Sequence, residues 1–240
     1  MTIDKTAIRD AATVIVLRDR AHDPKILMGQ RGSKAAFMPN KFVFPGGAVD
    51  AADYDAPLAQ PLTPPSAQRV LDDLRPETPE QITHAAAVAA IRELWEETGL
   101  ILGRAGAWPG TPPEDWLTYA ATGHIPDPKD MHFVFRAITP PGRPRRFDAR
   151  FFMLEADQLS GDIDDFSAAC DELSHLQWVP LSKARSFDLP FITEVVLAEI
   201  EGNLGTIGAP ESVPFFKNDD EAGYFKRLYG RNALADDLGG

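Results

Sequence analysis

Glu93, Glu96 and Glu97 stand at i, i+3 and i+4 spacing, with Arg92 immediately before them. On a helix this spacing gathers three carboxylates on one face within side-chain reach of one another. Three such charges repel unless water screens them or a multivalent cation joins them. Mg²⁺ is a hard ion that takes carboxylate oxygens together with waters and phosphate oxygens, so the spacing can hold a metal cluster. The competing reading is the solvated face of an amphipathic helix, and the glutamates alone do not choose between the two.

The element that must carry them is the clearest helix of the chain. Residues 84–98 are rich in Ala, Leu and Glu, and Gly99 stands where a C-terminal cap belongs. Val88, Ile91, Leu94, Trp95 and Thr98 share the face opposite the glutamates. Upstream, residues 12–18 form an apolar run of the kind found in the middle of a sheet. Residues 25–31 and 42–44 predict two further strands, the second stopped by Pro45-Gly46-Gly47, and Ala48-Val49 starts a short fourth. Residues 131–139, 146–154 and 173–179 predict strands, and 113–121 and 191–201 predict helices. This mixed order suits an α/β or α+β sandwich with helices on both faces of a sheet.

Context sharpens the glutamates. Phe44-Pro-Gly-Gly precedes the helix, and Arg92-Glu-Leu-Trp-Glu-Glu-Thr-Gly-Leu100 closes it. Here the sequence resembles the Nudix hydrolases, whose signature reads G-x5-E-x7-R-E-U-x-E-E-x-G-U with U apolar. Arg92, Glu93, Leu94, Glu96, Glu97, Gly99 and Leu100 match its second half in full. The resemblance covers residues 10–200 and implies a Nudix-type α/β/α sandwich with a mixed sheet. It also implies Mg²⁺ or Mn²⁺ on Glu93, Glu96, Glu97 and a carbonyl of Gly46 or Gly47. Arg92 would orient the carboxylates, and Glu93 would bind metal or serve as general base. Glu172 matches a loop position at which relatives often carry a further catalytic or metal-binding glutamate.

The chain departs from the signature in two ways. Gly47 and Arg92 are separated by 44 residues, 31 more than the signature allows. The excess lies in a proline-rich insertion at about residues 51–83, which carries few large apolar groups, predicts one short helix near 66–74 and is expected to lie outside the core. The slot of the early signature glutamate holds His84, so that carboxylate is missing or displaced, with Glu77 and Glu80 as candidates. Phe37-Met-Pro-Asn-Lys-Phe-Val-Phe-Pro-Gly-Gly, the long insertion, and the box after it look like a coenzyme A diphosphatase branch of the family. That likeness implies coenzyme A or an acyl derivative as substrate. ADP-ribose, NADH and dinucleoside polyphosphates remain alternatives, as does a Nudix-fold module that senses a nucleotide without cutting it.

Arg143, Arg145, Arg146 and Arg150 form a dense basic cluster in an acidic chain. Strand alternation aims Arg146, Asp148 and Arg150 to one face. Arg146 and Arg150 are therefore candidates to bind substrate phosphate, against a solvated hairpin edge that limits aggregation. The scattered histidines lack zinc-ligand spacing.

The net charge of −12 disfavours nucleic acid and anionic membranes as partners and leaves a small anionic substrate open through a metal or local basic patch. Cys170 is the lone cysteine, so no intrachain disulfide forms, in keeping with a reducing compartment. Neither a signal peptide, a membrane-length apolar run nor a C-terminal peroxisomal address is visible, and a cytoplasmic protein is expected. The expected organisation is one Nudix domain over 1–240, with the insertion at 51–83 and an extension at about 203–240 that covers the core or mediates a homodimer.

Overall fold

A computed structural model describes residues 7–35, 37–218 and 223–230. In chain order the strands and helices are β1 (Ile8–Arg18), β2 (Lys25–Arg31), β3 (Phe42–Val43), β4 (Gly46–Ala48), α1 (Pro64–Val70) and α2 (Ile82–Thr98). Then come β5 (Gly103–Ala105), α3 (Leu117–Ala120), β6 (His124–Pro126), β7 (His132–Ile138) and β8 (Arg146–Glu155). The last are β9 (Leu173–Pro180), α4 (Leu181–Ala184), α5 (Phe191–Gly202), β10 (Val213–Asn218) and β11 (Gly223–Leu228).

Among the described residues, nine strands make one mixed sheet with the path β11-β10-β7-β8-β1-β2-β3, to which β4 and β9 attach through β1 and β2. β1 runs parallel to β8, and β10 parallel to β7; the other pairs are antiparallel. The continuous apolar run of β1 follows from its place, because both faces of this strand are covered. Ala12, Val14 and Val16 pack with α2 on one face, while Ile15 and Leu17 pack with Val196, Leu197 and Ile200 of α5 on the other. This is the expected α/β/α sandwich, an α+β fold with a mixed sheet. No helix among the described residues is long and apolar enough to cross a membrane.

On its β4 side the sheet forks along β1. β4 pairs with Ala11–Thr13, and β2 pairs with Leu17 and Arg18. The fork sets the Pro45-Gly46-Gly47 corner against the C-terminal half of α2, the arrangement on which the site depends. α2 ends where Gly99 adopts a left-handed conformation (φ 74°) and its N–H donates to the Trp95 carbonyl at 2.7 Å.

One expectation is corrected. The insertion is not an excursion with little to bury: Ala56, Leu62 and Val70 join the core beneath α2, and Asp53 and Ser66 are fully buried. Its prolines bar strands, but they do not keep single leucines and valines from reaching inward. Beyond residue 202, where glycines and prolines break the pattern, β10 and β11 extend the sheet beside β7. Pro214 sits within β10, so a sequence that reads as broken still forms a hairpin near the sheet edge.

Candidate active site

Each glutamate of the triplet has a different environment, because α2 presents them at the rim where the helix meets the Gly46-Gly47 corner. Glu97 is almost fully buried; its Oε2 accepts the Gly46 N–H at 2.7 Å, and its Oε1 is buried without a partner among the described residues. Glu93 is buried and accepts Arg92 Nη1 at 2.9 Å. Glu96, partly exposed, accepts the same nitrogen at 3.1 Å. The solvated-face reading therefore fails for Glu93 and Glu97. Gly47 explains the close fit: a Cβ there would run into the Glu93 carboxylate.

Burial with too little neutralising charge pushes these carboxyls up. Desolvation, with repulsion from Glu96 and Glu172, pushes Glu93 up to about 7 despite Arg92. Desolvation, Glu93 and Glu172 push Glu97 well above the usual range, opposed by the Gly46 N–H and Arg31. Glu96 is also raised, mainly by burial. Glu172 thus lies within electrostatic reach of the cluster. Its carboxylate accepts Arg31 Nη2 at 2.7 Å. Its loop is tied to the end of α2 by the Cys170 N–H, which donates to the Glu96 carbonyl at 2.8 Å.

The donor chemistry fits a hard divalent cation: several carboxylates, one buried oxygen without a partner, and a glycine corner at contact distance. Among the described residues, no three His, Cys, Asp or Glu side chains form a ready-made cage. Arg92 Nη1 instead donates to both Glu93 and Glu96.

Arg146 and Arg150 are not brought to the glutamates as phosphate-binding groups, which corrects the expectation for both. Alternation does aim Arg146, Asp148 and Arg150 to one face, but α2 and the insertion cover that face. Arg146 is buried, with Nε donating to the Thr139 carbonyl at 3.0 Å. Arg150 is fully buried; its Nη1 donates to Asp10 at 2.8 Å and its Nη2 lies 3.7 Å from Asp148. Arg136 and Arg75 complete the group on Asp148, and Arg75 also holds Asp10. Together they hold the Asp148 carboxyl well below the usual range against its desolvation. Only Arg143 and Arg145 of the basic cluster stay exposed.

The displaced signature carboxylate is neither Glu77, which is exposed and pairs with Arg75, nor Glu80, which is also exposed. Arg92 is instead gripped by Asp53 of the insertion, Nε to Oδ1 and Nη2 to Oδ2, both at 2.9 Å. The sequence held a direct signal for it: counted forward from Gly47, the early carboxylate slot of the signature is Asp53, and the insertion follows it. Asp53 is held in the 3₁₀ turn Ala51–Tyr54, where the Asp50 N–H donates to its Oδ2 at 2.8 Å. Arg31 offered no such signal, since only the β2–β9 register puts it beside Glu172.

No family model matches the chain. Putative nudix hydrolase 7 of Caenorhabditis elegans is 26% identical over 183 residues, covering 71% of this chain and 51% of its own length. The acyl-coenzyme A diphosphatase NUDT19 of Gallus gallus is 29% identical over 182 residues, covering 55% of this chain and 48% of its own length. The chain spans about half the length of these relatives. Among solved structures, a NUDIX hydrolase from Alicyclobacillus acidocaldarius matches with a TM-score of 0.59 at 27% identity, over 84% of this chain and 97% of that one. These likenesses bear out the resemblance to the Nudix hydrolases, and the fold is theirs.

Proposed function

We propose that this chain, Nudix in fold and in its relatives, hydrolyses a diphosphate linkage in a nucleoside diphosphate derivative with Mg²⁺ or Mn²⁺ bound. One observation carries the reading: Glu93 and Glu97 are buried against Gly46 and Gly47 with more negative charge than Arg92 and Arg31 neutralise. A metal at that point fits Glu93, Glu96, Glu97 and the Gly47 carbonyl as donors. When bound it supplies charge for the phosphate oxygens and acidity for a water.

The chain's own residues do the rest. Arg92 fixes Glu93 and Glu96 side by side. Glu172, anchored on α2 through its loop and ion-paired with Arg31, stands ready to take the proton of the attacking water, with Glu93 as the other candidate base. The water oxygen forms the new bond to one phosphorus, the bridging P–O bond breaks, and two phosphorylated products leave.

Coenzyme A or an acyl-coenzyme A is the leading substrate. The motif around the glycine corner and the likeness to an acyl-coenzyme A diphosphatase support it. The acidic chain and its lone exposed cysteine suit a cytoplasmic protein acting on a small molecule, with no nucleic acid or membrane partner and with a homodimer open to it. The test is a hydrolysis screen over coenzyme A, an acyl-coenzyme A, ADP-ribose, NADH and diadenosine polyphosphates, with product identification and an EDTA control. Tight binding of a nucleotide without any product would replace the enzyme by a sensing module.

A further inference from the structure

We propose that β11 is the dimer interface of this protein: two copies join edge to edge, β11 antiparallel to β11, about a two-fold axis at Phe225. The proposal stands apart from the reaction read above, since the site lies by β4 and β2, toward the other end of the sheet path. β11 ends that path, and its outer edge pairs with nothing among the described residues. Such an edge is a template for a further strand unless proline, a bulge or free charge blunts it. β11, Gly223-Tyr-Phe-Lys-Arg-Leu228, has no proline and pairs with β10 without a shift of register. Beside the edge lies an apolar ledge. Phe225 stacks on Phe216 of β10 with ring centroids 4.5 Å apart, and Phe216 meets Phe191 of α5 at 6.2 Å. Phe225 is 56% and Phe191 65% exposed, and Tyr224 and Tyr229 are exposed with them. Four of the six large exposed apolar side chains among the described residues thus fall at this one end, a concentration that marks an interaction surface.

The strand's own sequence selects a second copy as the partner. Directly opposed residues of an antiparallel pair share a face of the sheet. Paired with itself about Lys226, β11 would set two lysines against each other. Paired about Phe225, it sets Phe225 against Phe225 of the second copy and joins the two ledges on the α5 side. On the other face Tyr224 of each copy then meets Lys226 of the other, an aromatic ring against a cation. Charge favours the same occupant. The chain carries −12, so two copies repel over most of their surfaces. At this end the cations already have carboxylates: Lys217 and Lys226 pair with Asp73, and Arg227 pairs with Glu199. A neutral, self-matching edge admits a second acidic chain, and a partner selected by charge finds little to grip.

The experiment is sedimentation of the full chain over a series of micromolar concentrations, without metal or substrate. The wild type is expected to sediment as a dimer at the upper end of the series. Phe225→Lys sets two added lysines against each other on the axis. It is expected to weaken association by about 100-fold or more, the scale of like charges juxtaposed in an interface. Tyr224→Glu meets Lys226 of the second copy in this register and is expected to keep or tighten the dimer, whereas an aromatic patch without register would be weakened by it. A wild type that stays monomeric, a folded Phe225→Lys that still dimerises, or a Tyr224→Glu that dissociates overturns the proposal. A wild-type monomer that pairs only after residues 231–240 are removed overturns it too, and gives the edge to that segment. Should Phe225→Lys not fold, Phe225→Cys in a Cys170→Ser background decides. Residues opposed on the axis are close enough to form a disulfide across the dimer on oxidation, and a chain that stays unlinked overturns the proposal.

Discussion

Two buried charge clusters lie on the face of the sheet that α2 and the insertion cover, and they are built in opposite senses. Around α2, the carboxylates of Glu93, Glu96, Glu97, Asp53 and Glu172 share only Arg92 and Arg31. Around β8, the guanidiniums of Arg75, Arg136 and Arg150 share Asp10 and Asp148. The first cluster pushes carboxyls up, to about 7 for Glu93; the second holds Asp148 well down. The arginine cluster ties β1, β7, β8 and the insertion together through direct ion pairs and so serves the fold. The carboxylate cluster leaves Glu97 Oε1 buried without a partner among the described residues, beside a glycine corner, and so is prepared for a ligand. Of the basic residues that look most like a binding site in the sequence, Arg150 belongs to the cluster that serves the fold and Arg146 bonds backbone carbonyls beside it, whereas the acidic triplet forms the cluster prepared for a ligand.

The sharpest way to break this contrast is at Asp148. Asp148→Ala leaves buried Arg136 with only the Asp72 and Asp73 carbonyls and leaves Arg150 and Arg75 to share Asp10. The expected loss is about 3–5 kcal/mol of stability, the scale of breaking a buried pair from one side. Denaturant unfolding measures it, and the folded fraction is expected to keep its turnover. A loss of turnover at full stability would move the arginine cluster into the site.

Glu97→Gln is the mirror experiment. It removes a buried, poorly neutralised charge, so the metal-free protein should be no less stable than the wild type. Turnover should fall by about 10²-fold or more, as for loss of one charge-stabilising group. Thermal melts in EDTA and steady-state kinetics in Mg²⁺ check the two halves. A destabilised metal-free variant would make Glu97 a structural residue.

The two clusters also predict opposite pH limbs. Asp148 is depressed, so its stabilisation is present above its unfolded value near 3.8 and is lost as pH falls below it. Glu93 is raised from 4.5 to about 7, so metal-free stability declines as pH rises across that window, because folding then costs a proton or a buried charge. The neutral-side decline is on the order of 1–3 kcal/mol. Saturating Mg²⁺ should abolish it, since the cation replaces the proton. Melts from pH 3 to 8 with and without Mg²⁺ test this, and a flat neutral limb in EDTA would contradict the crowding of Glu93.

The sandwich and the glutamate triplet were legible because both are written in local spacing. The run Val14 to Leu17, the alternation before Glu155 and the box ending at Leu100 each carry their meaning within a few residues. What stayed hidden depends on distant partners. Arg146 and Arg150 point as alternation says, but the sequence does not say that Arg75 of the insertion will reach Asp148 between them, 73 positions away, or that Asn218 of β10 will meet Arg146. Asp53 stands six positions after Gly47, as the signature asks of its early carboxylate, but the 39 positions between it and Arg92 hid their contact. The β10–β11 hairpin was masked by Pro214 and the glycines around it, since its pairing is set by the free edge of β7.

The smallest expected effect belongs to the exposed end of the basic cluster. Arg143 and Arg145 lie exposed in the turn between β7 and β8, with no carboxylate paired to them among the described residues. Replacing both with Ala should change stability by no more than about 0.5 kcal/mol. They are also the members of the cluster left free to meet a substrate, and coenzyme A carries a ribose 3′-phosphate that dephospho-coenzyme A lacks. Solvent screens a single exposed contact, so the KM for both substrates should rise equally or not at all. A selective rise for coenzyme A, on the order of the tenfold that a charge-assisted hydrogen bond supplies, would extend the binding surface to this turn. The contrast would then be redrawn within the cluster itself, with Arg146 and Arg150 serving the fold and Arg143 and Arg145 the ligand.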